Sequence, residues 1–126
     1  MIVGSGVDLC EVARIKASIE RYGRRFLERI YTDHEIAYAQ RKANLYERYA
    51  ARFAAKEAGM KALGTGWHGG VRWRDFEVMN LSSGRPTLQF HGKAAEYARK
   101  LGVENVSLSI THTSVQAMAM VILENK

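Results

Sequence analysis

The chain has 126 residues, 47% of them hydrophobic, and a formal net charge of +6 at pH 7. That is enough for one compact domain with a modest core, biased toward an acidic partner. A single cysteine, Cys10, excludes an intrachain disulfide and is expected to be a buried small apolar residue. No basic region followed by a long apolar run opens the chain, and no apolar stretch approaches the roughly 20 residues that span a bilayer. The chain reads as cytosolic, with no membrane partner.

Ile2 and Val3 open a β-prone run predicted over 2–7, loosened by Gly4 and Gly6. Asp8 follows where strand should pass into helix, a place that suits either a helix N-cap or a ligand of a hard cation. Val12, Ile15 and Ile19 recur at helical spacing, and helices are predicted over 11–22, 24–30, 33–41 and 44–63. Thr32 and Asp33 are capping residues for the third of these. Between Arg14 and Arg29 stand six cations, Arg14, Lys16, Arg21, Arg24, Arg25 and Arg29, against two acids, Glu20 and Glu28. Arg14, Arg21 and Arg25 would share one stripe of a continuous helix, which Gly23 is expected to interrupt. This is either a solvated basic face or a docking surface for an acidic protein. Nucleic acid is disfavoured, because the aromatics are not interleaved with the cations as base stacking would want.

The fourth helix is the most informative. In Arg52-Phe53-Ala54-Ala55-Lys56-Glu57-Ala58-Gly59-Met60-Lys61, Glu57 and Lys61 lie four apart on one face, with Phe53 a turn before. Arg52 and Lys56 stand beside them, and Ala51, Ala55, Ala58 and Ala62 form a small apolar stripe for close packing. One carboxylate among cations suits a metal ion and a phosphorylated ligand. The same pattern also describes a solvated face with i,i+4 ion pairs. The glycine-rich loop 64–70 follows, then strands over 71–79 and 86–91 joined by Ser82-Ser83-Gly84-Arg85. A helix over 92–101 stops at Gly102, and the last strands fall at 104–111 and 115–124. Ala117, Ala119, Val121 and Leu123 alternate with Met118, Met120 and Ile122, so the last strand should be buried on both faces or lie at a subunit interface. His112 stands between two threonines at a strand edge. His34, His68 and His91 are scattered and read as surface residues. The fold class is α+β, a bent antiparallel sheet packed with helices.

Four segments in order carry a resemblance. They are Gly6-Val7-Asp8 with Glu11 and Arg14-Ile15; Arg52 to Ala58 with Lys61-Ala62-Leu63-Gly64-Thr65-Gly66; Asn80 to Pro86; and Val106 to Thr113. Together they resemble the holo-[acyl-carrier-protein] synthases, the small bacterial-type 4′-phosphopantetheinyl transferases, over nearly the whole chain. The resemblance implies a single 4′-phosphopantetheinyl transferase domain over 1–126, in the single-copy form that trimerises. It also implies Mg²⁺-dependent transfer of the 4′-phosphopantetheine of coenzyme A to a serine of apo-acyl carrier protein, in fatty acid biosynthesis.

By the same resemblance Asp8 and Glu57 would hold Mg²⁺, with water completing the shell. Lys61 would offset charge on the leaving 3′,5′-bisphosphoadenosine. Arg52, His112 and Thr113 would help hold the coenzyme, and the backbone around Pro86 would border the adenine. Glu57 or a metal-bound water would take the serine proton. Arg14, Arg21, Arg24, Arg25 and Phe53 would receive the acidic carrier. Larger relatives carry a third metal carboxylate two residues after the first, where Cys10 stands here. They also enclose the coenzyme with two fused copies, so one copy would borrow its second wall from another subunit of a homotrimer.

Overall fold

In the computed structural model, residues 1–66 and 68–126 are described. The expected loop residue Trp67 lies outside them. Strand β1 (Ile2–Glu11) leads into helices α1 (Val12–Tyr22), α2 (Arg24–Ile30), α3 (Asp33–Gln40) and α4 (Leu45–Leu63). After one 3-10 turn (Trp73–Asp75) come β2 (Phe76–Asn80), β3 (Pro86–Phe90), α5 (Gly92–Leu101), β4 (Asn105–His112) and β5 (Gln116–Glu124). The strands are antiparallel throughout. Hydrogen bonding divides them into a three-stranded sheet in the order β1-β5-β4 and a two-stranded sheet β2-β3.

Helix α4 packs against both β1 and β5. Its alanines 51, 54, 55, 58 and 62 are buried, which lets the helix lie low on the sheet. Gly4 and Gly6 complete that approach. A Cβ on Gly4 would stand 2.1 Å from the Ala62 carbonyl oxygen, and one on Gly6 would stand 2.1 Å from that of Ala58. Side chains alternate along β1, so Gly4, Gly6, Asp8 and Cys10 share the face toward α4 while Ser5, Val7 and Leu9 face out.

Several expectations change. β1 runs on to Glu11, so Asp8 sits inside a strand paired with Ala119 and caps nothing; Glu11 holds the N-cap position of α1, without a side-chain bond. Gly23, at φ 58°, does separate α1 from α2. The β-prone stretch from Val71 gives way to a turn, because Asp75 accepts a hydrogen bond from the Arg72 amide at 3.0 Å and holds the chain there until Phe76. β5 is buried on one face only: Ala117, Ala119, Val121 and Leu123 point into the core, while Met118 and Met120 stay 42% and 45% exposed.

Lys56 is the largest departure. Its place beside Glu57 predicts a charged surface position, yet its side chain is fully buried. Its Nζ donates to Glu35 Oε1 at 2.7 Å, to the Trp73 carbonyl at 3.2 Å and to that of Phe76. Glu35 in turn accepts from the Thr32 and Val78 amides, each at 2.8 Å. Thr32 closes the capping box of α3 by accepting from the Glu35 amide. One buried ion pair thus ties α4 to the start of α3 and to β2.

Candidate active site

Two clusters assemble from the expected residues, on different faces of α4. The first lies where β1 crosses the helix. Lys61 Nζ donates to Asp8 Oδ1 at 2.8 Å and to the Val7 carbonyl at 3.2 Å. The Glu57 carboxyl, when protonated, can donate a hydrogen bond to the Asp8 carboxylate. Burial first, then that hydrogen bond and the Asp8 charge, push the Glu57 carboxyl up to about 7. Two carboxylates in hydrogen-bond reach, one only half-buried, favour sharing a proton or a cation over standing charged side by side. Their hard oxygen donors fit Mg²⁺, and Cys10, next along the same face, adds only a soft sulfur that does not. Among the described residues no group of three or more His, Cys, Asp or Glu side chains converges.

The second cluster is a cleft lined by Tyr38, Arg48, Arg52, Asn80, Pro86 and His112. Arg52 is only 4% exposed, and its Nε and Nη2 are buried with no hydrogen-bond partner among the described residues. Burial, first among the influences on it, lowers its pKa, while Glu35 and Tyr38 support its charge; buried guanidinium N–H groups left without acceptors are costly unless a ligand supplies them. His112 Nδ1 meets Glu47 Oε1 at 3.0 Å, which fixes the ring at the cleft. Thr113 does not reach into it. Its hydroxyl accepts from the Val115 and Gln116 amides, each at 3.1 Å, and shapes the β4–β5 turn.

Arg52 and Glu57 are five residues apart, about 140° around the helix and 7.5 Å along it. The expected single array of cations around Glu57 is therefore split, with Lys61 at one cluster, Arg52 at the other and Lys56 in the core. Arg14, Arg21, Arg24 and Arg25 are exposed on α1 and α2, and Arg24 pairs with Glu28 at 3.1 Å. Phe53, expected to join them in docking, is 7% exposed and stacks on Trp73 at 4.8 Å, so it supports the surface from beneath. An aromatic cleft lined by Tyr22, Arg25, Phe26 and Arg29 opens beside the arginines instead. Sequence reasoning missed Tyr38, Glu47 and Arg48. Arg48 carried a signal, being four residues before Arg52 on one helix face; Tyr38 reaches the cleft only through the packing of α3 and carried none.

Residues 4–117 match the family described as the 4′-phosphopantetheinyl transferase superfamily. The chain belongs to that superfamily. Holo-[acyl-carrier-protein] synthase of Solibacter usitatus is 71% identical across 99% of this chain and 100% of that protein. The crystal structure of the Neisseria meningitidis holo-[acyl-carrier-protein] synthase superposes with a TM-score of 0.89 at 31% identity, covering 98% of this chain and 99% of that one. A Bacillus anthracis synthase in complex with CoA (3′,5′-ADP) gives 0.82 at 38% identity over 100% and 99% of the two chains. The α+β architecture with antiparallel sheets is that of this superfamily, and the chain is a transferase. No described helix is long and apolar enough to cross a membrane.

Proposed function

We propose that Asp8, Glu57 and Lys61 form the reacting centre of a Mg²⁺-dependent holo-[acyl-carrier-protein] synthase spanning residues 1–126 as one domain. The reaction is transfer of the 4′-phosphopantetheine group from coenzyme A to a serine hydroxyl of apo-acyl carrier protein, releasing adenosine 3′,5′-bisphosphate. The observation that carries the assignment is the carboxylate pair, with the Glu57 carboxyl raised to about 7 by burial and by Asp8. Asp8 and Glu57 would hold the ion, which when bound neutralises and orients the coenzyme diphosphate.

Lys61 supplies a mobile cation. Its side chain is 56% exposed and anchored on Asp8, so it can swing to a phosphate oxygen as charge leaves with the bisphosphate. Arg52 and His112 hold coenzyme phosphate oxygens in the second cleft, with Pro86 beside the adenine and Thr113 setting the turn behind His112. Arg14, Arg21, Arg24 and Arg25 receive the acidic carrier, with the cleft of Tyr22 and Phe26 for its apolar side chains.

The active assembly is a homotrimer with sites at chain boundaries. Two observations support it. The two clusters face different ways within one chain, and the outer face of the three-stranded sheet exposes Val7, Leu9, Met118 and Met120 together, a patch that monomers seldom leave bare. The protein works in the cytoplasm, on fatty-acid carrier protein. Incubation with apo-carrier, coenzyme A and Mg²⁺, read by intact mass, should show one phosphopantetheine added to the carrier. An unmodified carrier would refute the activity.

A further inference from the structure

The cleft holds one contact that the assigned roles leave unused. The Arg52 guanidinium carbon sits 3.9 Å from the centroid of the Tyr38 ring. That is close for a cation–π contact. The Tyr38 hydroxyl is within hydrogen-bonding reach of the Asn80 and Arg52 side chains, and Lys42 lies 5.0 Å from the ring centroid. The two Arg52 nitrogens without partners, Nε and Nη2, form the edge of a guanidinium whose N–H bonds run parallel. That edge makes bidentate contact with phosphate. A ring packed this close restricts how the guanidinium can turn, while Nε and Nη2 stay buried beside the cleft without an acceptor.

From this geometry we infer that Tyr38 is a positioning residue for phosphate recognition: its ring holds the Arg52 fork in the plane that a coenzyme phosphate enters. The inference rests on the reading of this cleft as a phosphate site. It is specific about the group served. The Asp8–Glu57 pair lies on another face of α4, so the phosphate met by Arg52 is one away from the metal, the ribose monoester rather than the diphosphate. The ring packed against the guanidinium carries this role; the hydroxyl also reaches the Arg52 side chain, and Tyr38→Phe separates the two contributions. Arg48, one turn earlier on α4, lines the same cleft and adds charge.

The test compares coenzyme A with 3′-dephospho-coenzyme A, followed as substrate or as competitor, in the full-length enzyme with Mg²⁺. Tyr38→Leu should raise KM for coenzyme A roughly tenfold while kcat stays within about twofold. Its affinity for the dephospho compound should stay unchanged, so the preference between the two collapses. Tyr38→Phe should keep the wild-type preference. Arg52→Lys, which retains the charge and loses the fork, should behave as Tyr38→Leu does. If Arg52→Lys binds coenzyme A normally, the cleft is not a phosphate site and the inference falls with it. If Arg52→Lys loses the preference but Tyr38→Leu keeps it, the cleft reading stands and Tyr38 does not position Arg52. Equal loss for both compounds in Tyr38→Leu, or loss in Tyr38→Phe matching it, also overturns the inference.

Discussion

Gly6 shows how one missing methyl group sets the chemistry nearby. Its face of β1 lies so close to α4 that a Cβ would meet the Ala58 carbonyl at 2.1 Å, and Asp8, two residues on, inherits that closeness to Glu57 and Lys61. Gly6→Ala should therefore lift β1 from the helix and cost about 1–3 kcal/mol in urea unfolding. Turnover should fall beyond what the lost stability explains, because the carboxylates separate. Asp8→Ala and Glu57→Ala act without that strain. Each should remove activity by about a hundredfold or more at millimolar Mg²⁺ while the far-ultraviolet dichroism stays native. Near-normal turnover in either variant would contradict the metal assignment. The residue types at this centre were legible in the sequence, since Glu57 and Lys61 stand four apart on a helix and Asp8 follows a glycine-rich strand. Their relation to Arg52 was not. A helical repeat gives angles around an axis, but which sector faces water depends on strands and helices that pack from elsewhere in the chain.

At the scale of elements, the same limit explains Lys56. Its spacing on α4 matches a solvated charged face, and its partner Glu35 lies on another helix, so nothing local marks the pair as buried. The capping half of the arrangement could be read, because Thr32 and Asp33 stand where a helix start needs them. Lys56→Met should leave Glu35 buried without its cation and cost about 3–5 kcal/mol in chemical denaturation. The junction of β2 with α3 and α5 gives a pH test. Burial pushes the Glu77 carboxyl up, but hydrogen bonds from Thr32 and His91 outweigh it and hold the group below its ordinary value of 4.5. A carboxyl depressed in the folded state stabilises the fold above that ordinary value, and the contribution is lost as pH falls through the lower folded value. Thermal melts on the acid side of about pH 4.5 should therefore fall less steeply for Glu77→Gln than for the parent chain. Identical acid limbs would rule out this role.

At the scale of the whole molecule, charge and symmetry make separate predictions. Arg14→Glu or Arg21→Glu should weaken capture of the acidic carrier while leaving coenzyme A affinity unchanged. Added salt should mimic the substitution, because exposed charges are screened beyond roughly 8–10 Å at physiological ionic strength. A fall in coenzyme A affinity would move these arginines to the nucleotide site. For the assembly, mixing a Glu57→Ala chain with a His112→Ala chain should restore part of the activity, since some boundaries would pair an intact carboxylate centre with an intact second cleft. A monomer by light scattering, or no recovery after proven subunit exchange, would exclude shared sites. The alternation that buries Ala119 and exposes Met120 could not be told from the sequence, where both faces of β5 are apolar.

Cys10 turns the closeness of β1 and α4 into a gauge. It is the chain's single thiol, 2% exposed, on the strand face that carries Asp8. Burial, the largest influence, pushes the Cys10 thiol up to about 11, so alkylation of this buried group is slow, and its rate in native buffer reports how large a fraction of molecules have the packing around β1 open. Any ligand that bridges Asp8 and Glu57 should slow the labelling in proportion to its occupancy. The opening of this centre can thus be followed without a substrate, a reporter group or a single engineered residue.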